Sequence, residues 1–251
     1  MNRHRDDWNN ERVTEPRDRP APGRARRVLG SFWGQLVIAF VTFGLVLAFV
    51  AKPYRVPSES MEATLQPGDR VLVNRLAYRL GEPAPGDVVV FDADSAWDSV
   101  EPAEPTGLRA VWLWLGAWTG FGPSGAHTLV KRVVATPGQV ASCCSADGHV
   151  VVDAQPLDEP YVANDLPFLP GTLDCTTTPR SQRCFDEVTV PQDSYLMLGD
   201  NRSASSDSAY NCRGESADND TCWRWATRTG IVGKVVAVVW PVTRWGVRLD
   251  P

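Results

Sequence analysis

Only Lys52, Lys131 and Lys234 among the 25 basic residues of this 251-residue chain are lysines; the others are arginines. The scarcity makes each lysine informative, because arginine stays protonated, whereas an amine stripped of water can fall toward neutrality and act as a base. Lys131 is the one set in an apolar run, after Leu129 and Val130 and before Val133 and Val134. Lys52 follows a long apolar segment and Lys234 sits beside Gly233, both ordinary places for an exposed ammonium. Other bases are poor: His4 lies in an Arg-rich N-terminal stretch, and His127 and His149 have no recognisable triad context. A thiol nucleophile is equally poor if the cysteines are oxidised. Serine activated by a dehydrated lysine remains, which is acyl-transfer chemistry needing oxyanion donors nearby. The plain alternative for Lys131 is a strand lysine facing solvent.

The elements that would position such a pair follow from patterning. Before Leu29 the chain holds eight Arg, no Lys and five acids, with too little apolar surface to fold, so residues 1–29 are expected as a disordered tail. Phe32 to Val50 is nineteen residues without a charge, about the length that crosses a ~30 Å hydrocarbon core at ~1.5 Å per residue. A transmembrane helix is expected over 30–51. It exceeds the roughly 7–15 residues of a secretory h-region and ends in Phe49 and Val50 without a small-residue cleavage site, which favours an uncleaved anchor. Arg17, Arg19, Arg24, Arg26 and Arg27 precede it and only Lys52 and Arg55 follow closely, so the N-terminus is placed in the cytoplasm and the remainder outside.

Beyond the anchor, short β-branched runs separated by Gly, Pro and Asp predict antiparallel strands at Arg70 to Leu76, Asp87 to Phe91, Leu129 to Ala135, His149 to Val152, Glu187 to Val190, Tyr195 to Leu198 and Gly233 to Trp240. The fold class is therefore mainly β. A catalytic domain is expected over 52–140 and 189–251, with an inserted disulfide-bearing lobe over 141–188. Between Ser95 and Ala126 a Pro-rich stretch leads to Trp112, Trp114, Trp118 and Phe121, read either as a membrane-interface contact or as rings covering the core. All six cysteines lie after the anchor, as an oxidising compartment requires. Fifteen pairings are open, of which Cys175 with Cys184 and Cys212 with Cys222 are the cheapest guesses. No Cys-x2-Cys pair exists, so no metal and no cofactor are expected. After the tail, seventeen basic residues face twenty-five acids, which excludes a nucleic-acid partner.

Four segments sharpen the chemistry: Val56-Pro57-Ser58-Glu59-Ser60-Met61 just past the anchor, Pro85-Gly86-Asp87-Val88-Val89-Val90-Phe91, Leu129-Val130-Lys131-Arg132-Val133-Val134, and Gly199-Asp200-Asn201-Arg202-Ser203-Ala204-Ser205-Ser206-Asp207-Ser208. In this order they resemble the bacterial type I signal peptidases, a family of Ser/Lys serine endopeptidases acting in protein secretion. The resemblance spans Phe32 to Trp240. It implies a signal-peptidase-type catalytic core with Ser60 as nucleophile, Lys131 as general base, Ser58 as an oxyanion donor and Ser205 as the hydroxyl that orients the lysine amine. It further implies Tyr54, Val56, Pro57, Met61, Leu65, Leu129 and Val130 as walls of shallow pockets that admit small residues at −1 and −3 of a preprotein. Arg132, Asp200, Arg202 and Asp207 are implied as the charges that tie the site's loops together.

The partners so implied are exported preproteins and membrane lipid, for a monomer on the outer face of the cytoplasmic membrane. Departures from the pattern are Glu59 for a frequent Gly, Thr136 and Gln139 for Leu and Asp, and Ala209 where Arg is common. The last leaves Asp207 to find another partner, for which Arg202 is the expectation. A preproteins-binding module without cleavage, and an enzyme dedicated to one substrate, are the competing readings. A penicillin-interacting acyl enzyme wants Ser-x-x-Lys, a spacing this chain lacks.

Overall fold

The computed structural model describes residues 31–79, 81–93, 96–97, 107, 128–214 and 221–249. Helix α1 spans Phe32–Phe49, with Ser31 Oγ accepting from the Gly34 N–H at its start. It ends earlier than the sequence suggests, because Ala51 is already in strand β1 (Ala51–Arg55), paired with Asn74. Among the described residues no helix is long and apolar enough to cross a membrane. The described residues fall into two units, one ending at Thr42 and the other beginning at Phe43. The expected tail and the Trp112 to Phe121 segment lie outside the described residues.

The strands described in the second unit all pair antiparallel. Strands β2 (Arg70–Asn74), β3 (Val88–Asp92), β4 (Thr128–Ala135), β9 (Ser194–Leu198), β10 (Ala226–Thr227) and β11 (Ile231–Trp240) join β1 in a seven-stranded sheet of order β1-β2-β11-β3-β4-β9-β10. A four-stranded sheet, β7-β6-β5-β8, is built from β5 (Val140–Cys143), β6 (Val150–Val152), β7 (Gln155–Pro156) and β8 (Phe185–Thr189). Strand β2 alternates buried and half-buried residues, as a sheet with one covered face requires, whereas β3 and β9 are buried nearly throughout.

Three apolar clusters result. One gathers Val56, Met61, Leu65, Val71 and Val73; a second gathers Phe91, Trp97, Val133, Tyr195 and Met197. The third, with Val134, Ala141, Val152, Phe185 and Leu196, joins the smaller sheet to β4 and β9. Disulfides link Cys175 to Cys184 and Cys212 to Cys222, the two short links noted in the sequence, and adjacent Cys143 and Cys144 pair with each other. The Sγ atoms of Cys144, Cys175 and Cys184 lie within 4.8 Å of one another, but as disulfide sulfurs they have no thiolate to offer a metal.

Candidate active site

Lys131 and Arg132 are consecutive on β4, so their side chains leave on opposite faces. The chain after β1 turns tightly over residues 59–65, with the Glu62 N–H donating to Glu59 O and the Leu65 N–H to Met61 O. Buried Met61 and Leu65 sink this turn into the core, and Ser60 rides on it. Lys131 Nζ reaches Ser60 Oγ at 2.6 Å. The amine is only 3% exposed. Burial lowers its pKa to about 8, against the opposing pull of the Asp207 and Asp200 carboxylates. A neutral amine there accepts the hydroxyl proton; an ammonium can only donate.

Ser58 Oγ lies 3.3 Å from Ser60 Oγ on the exposed side of the turn. Beneath it, the Asn201 N–H donates to Ser60 O. Gly199 lies close by, and a β-carbon there would come within 2.2 Å of Ser205 Oγ and 2.5 Å of Ser60 O, so nothing larger than glycine fits. Ser205 is buried beside it, and its Oγ has no hydrogen-bond partner among the described residues. The bond to the lysine amine implied by the resemblance is therefore not made in this arrangement, in which Lys131 Nζ lies against Ser60 Oγ.

A small cavity of about 20 Å³ adjoins the pair, lined by Val56, Pro57, Ser58, Met61, Leu129 and Val130 together with Thr128, Ser60 and Lys131. Tyr54 and Leu65, expected on its walls, are not among these lining residues; they share an apolar cluster with Val56 and Met61, which are. Thr128 was not foreseen. On the β9 side, pairing of β4 begins only at Arg132, so among the described strands none pairs with Thr128 to Lys131 on that side.

Arg132 serves the scaffold. Its guanidinium bonds both Asp200 carboxylate oxygens at 2.9 and 2.7 Å, donates to the carbonyls of Gly86 and Leu249, and lies over the Tyr161 ring. Thr64 Oγ1 completes the Asp200 shell at 2.5 Å and ties it to the Ser60 turn. The charge pairing of the remaining loop differs from expectation. Arg202 pairs with Glu159, buried in the smaller lobe, and Asp207 pairs with Arg213 at 3.1 Å. Arg213 thus fills the role vacated at Ala209. Neither Glu159 nor Arg213 carries a local sequence signal, since each partner is brought in by the fold.

A buried lysine against a serine on a tight turn, held by a seven-stranded antiparallel sheet, is an arrangement suited to acyl transfer, and the comparisons give the class as peptidase. Residues 29–240 match the model of the family described as signal peptidase, peptidase S26. The chain is 37% identical over 239 residues to the signal peptidase I of Mycobacterium tuberculosis (strain CDC 1551 / Oshkosh), covering 92% of this chain and 78% of that one. It is 30% identical over 201 residues to the signal peptidase I of Leptolyngbya laminosa, covering 80% and 74%. It is 28% identical over 222 residues to the signal peptidase IB of Staphylococcus aureus (strain MRSA252), covering 86% and 92%. The chain belongs to the signal peptidase, peptidase S26 family.

Proposed function

We propose that this protein is a membrane-anchored endopeptidase that removes signal peptides from exported preproteins, with Ser60 as nucleophile and Lys131 as general base. The observation that carries the reading is the 2.6 Å contact between a buried amine of lowered pKa and the Ser60 hydroxyl. The neutral amine takes the hydroxyl proton as Oγ bonds to the scissile carbonyl carbon. The oxyanion so formed accepts from the Ser58 hydroxyl and the Ser60 N–H. The ammonium then protonates the departing amine nitrogen, leaving an ester on Ser60. A water, deprotonated by the regenerated amine, hydrolyses that ester and restores the serine. Ser205, a buried hydroxyl without a partner, is suited to hold the amine once Ser60 Oγ is acylated and can no longer do so.

The cavity beside the pair is roughly the size of one small group, which supports selection of alanine-sized side chains by exclusion. The edge of Thr128 to Lys131, which β9 leaves unpaired, suits an extended substrate that adds as a strand.

Anchoring is supported by α1, which exposes Phe32, Trp33, Val37, Phe40, Val41 and Phe43. A helix apolar all round is stable only when covered by lipid or protein. Its 18 residues rise about 27 Å, a shortfall against ~30 Å that bilayer thinning accommodates. With arginines before it, the catalytic domain of a monomer would stand on the outer face of the cytoplasmic membrane.

The test is cleavage of a preprotein with an Ala-x-Ala junction by the full chain in detergent. Wild type should release the signal peptide, and both Ser60→Ala and Lys131→Ala should be inert. Persisting cleavage by Lys131→Ala would end the reading.

A further inference from the structure

A second cavity, of about 290 Å³, opens at the end of the large sheet where the chain enters β1. Its wall carries three guanidinium side chains, Arg75, Arg79 and Arg228, with Tyr78 and Asp92. Arg75 follows β2 directly, and its N–H donates to Val50 O at the point where the chain leaves α1. Lys52 adds a fourth cation nearby: burial and then the Arg75 charge hold its amine below the ordinary value, with Asp92 opposing them. Arg228 is fixed in place, bonded to Glu82 at 2.7 Å and to the carbonyl of Tyr78. Asp92 is the one carboxylate on this wall, and it accepts from the Thr128 hydroxyl. Arg228 is compensated by Glu82, so the cavity's charge surplus comes from Arg75 and Arg79 against Asp92, with Lys52 nearby.

We propose that this cavity binds the phosphate of an anionic phospholipid headgroup. The proposal rests on the membrane-anchored reading, which sets Val50 and therefore Arg75 at the level of the outer headgroups. A phosphodiester offers two anionic oxygens to a fork of guanidinium N–H groups, the geometry in which arginine outperforms lysine. The cavity is polar and several times the ~30 Å³ share of a water, room for a headgroup rather than a bare solvent site. The lipid would relieve the crowding of Lys52 and Arg75 and fix the sheet end at a constant depth. Thr128, bonded to Asp92 here, also lines the catalytic cavity, so that depth carries to the cleavage site.

The full chain in neutral detergent is titrated separately with phosphatidylglycerol, phosphatidylcholine and inorganic phosphate, and retained ligand is counted by native mass spectrometry. Wild type should retain one phosphatidylglycerol, with a raised melting temperature, and neither of the others. Arg75→Gln/Arg79→Gln should bind it about thirtyfold more weakly, roughly fivefold per surface cation removed, while lipid-free cleavage in detergent is unchanged. Undiminished binding by the variant, equal retention of phosphatidylcholine, or retention of inorganic phosphate in place of the lipid overturns the proposal. Carbonate extraction of wild-type membranes reports separately on anchoring: a chain that resists extraction but fails these arms loses the lipid site alone.

Discussion

The two faces of β4 hold adjacent buried cations and treat them in opposite ways. On one face Arg132 meets a carboxylate with two matched bonds, two backbone carbonyls and an aromatic ring, so its charge is retained and used as a joint between loops. On the other, Lys131 meets a hydroxyl, and the carboxylates of Asp207 and Asp200 act on it only from a distance. Burial alone therefore does not make a cation reactive: arginine stays protonated and serves as a joint, whereas burial lowers the pKa of a lysine that has no carboxylate bonded to it.

The sharpest way to break this contrast is to make the faces alike. Lys131→Arg preserves a cation but no acceptor, and kcat for signal-peptide release should fall by roughly 10⁴-fold or more, as removal of a member of a catalytic unit does. Residual cleavage near the wild-type rate would show that no base is needed there. Next, Asp200→Ala should destabilise the fold by about 3–5 kcal/mol in urea titration, because Arg132 is left buried and uncompensated.

The third effect has the opposite sign. The amine of Lys131 titrates at about 8 in the fold and near ~10.4 in an unfolded chain. Between those values the unfolded chain binds more protons, so stability rises with pH; below about 8 the burial penalty is present in full. Lys131→Met should therefore raise the unfolding free energy at pH 7 by roughly 3 kcal/mol and lose that advantage above pH ~10. A destabilised Lys131→Met would erase the distinction between the faces. Wild-type kcat should rise with pH through about 8 as the amine becomes neutral, and Asp207→Asn should move that rise to lower pH by removing a charge that holds the proton on. Smallest, Ser205→Ala should reduce kcat by about tenfold or less without lowering the melting temperature, since the hydroxyl removed has no bond to lose. A melting temperature that fell sharply would reveal a partner for it.

Much of this was readable in advance where local pattern carries the information. The long strands β2, β3, β4, β9 and β11 announced themselves by β-branched runs, and Lys131 by its rarity and apolar neighbours. Strand β1 was hidden, because Lys52 and Pro53 interrupt its pattern and its pairing with β2 comes from the fold. Tyr54 and Leu65 were placed on the substrate wall by the resemblance; the structure buries them in the cluster that also holds the wall residues Val56 and Met61, and a linear motif does not tell which members of a cluster face the cavity. The Arg202–Glu159 and Arg213–Asp207 pairs escaped for the same reason in charge: any of many acids could have served, and only three-dimensional proximity selects one.

Gly199 has a consequence for heredity as well as for chemistry. Every missense change in its codon installs at least a methyl group where the serine backbone and a buried hydroxyl leave no space. A saturation library selected for secretion should return the parental residue alone at that position, while codons for the exposed residues nearby drift freely.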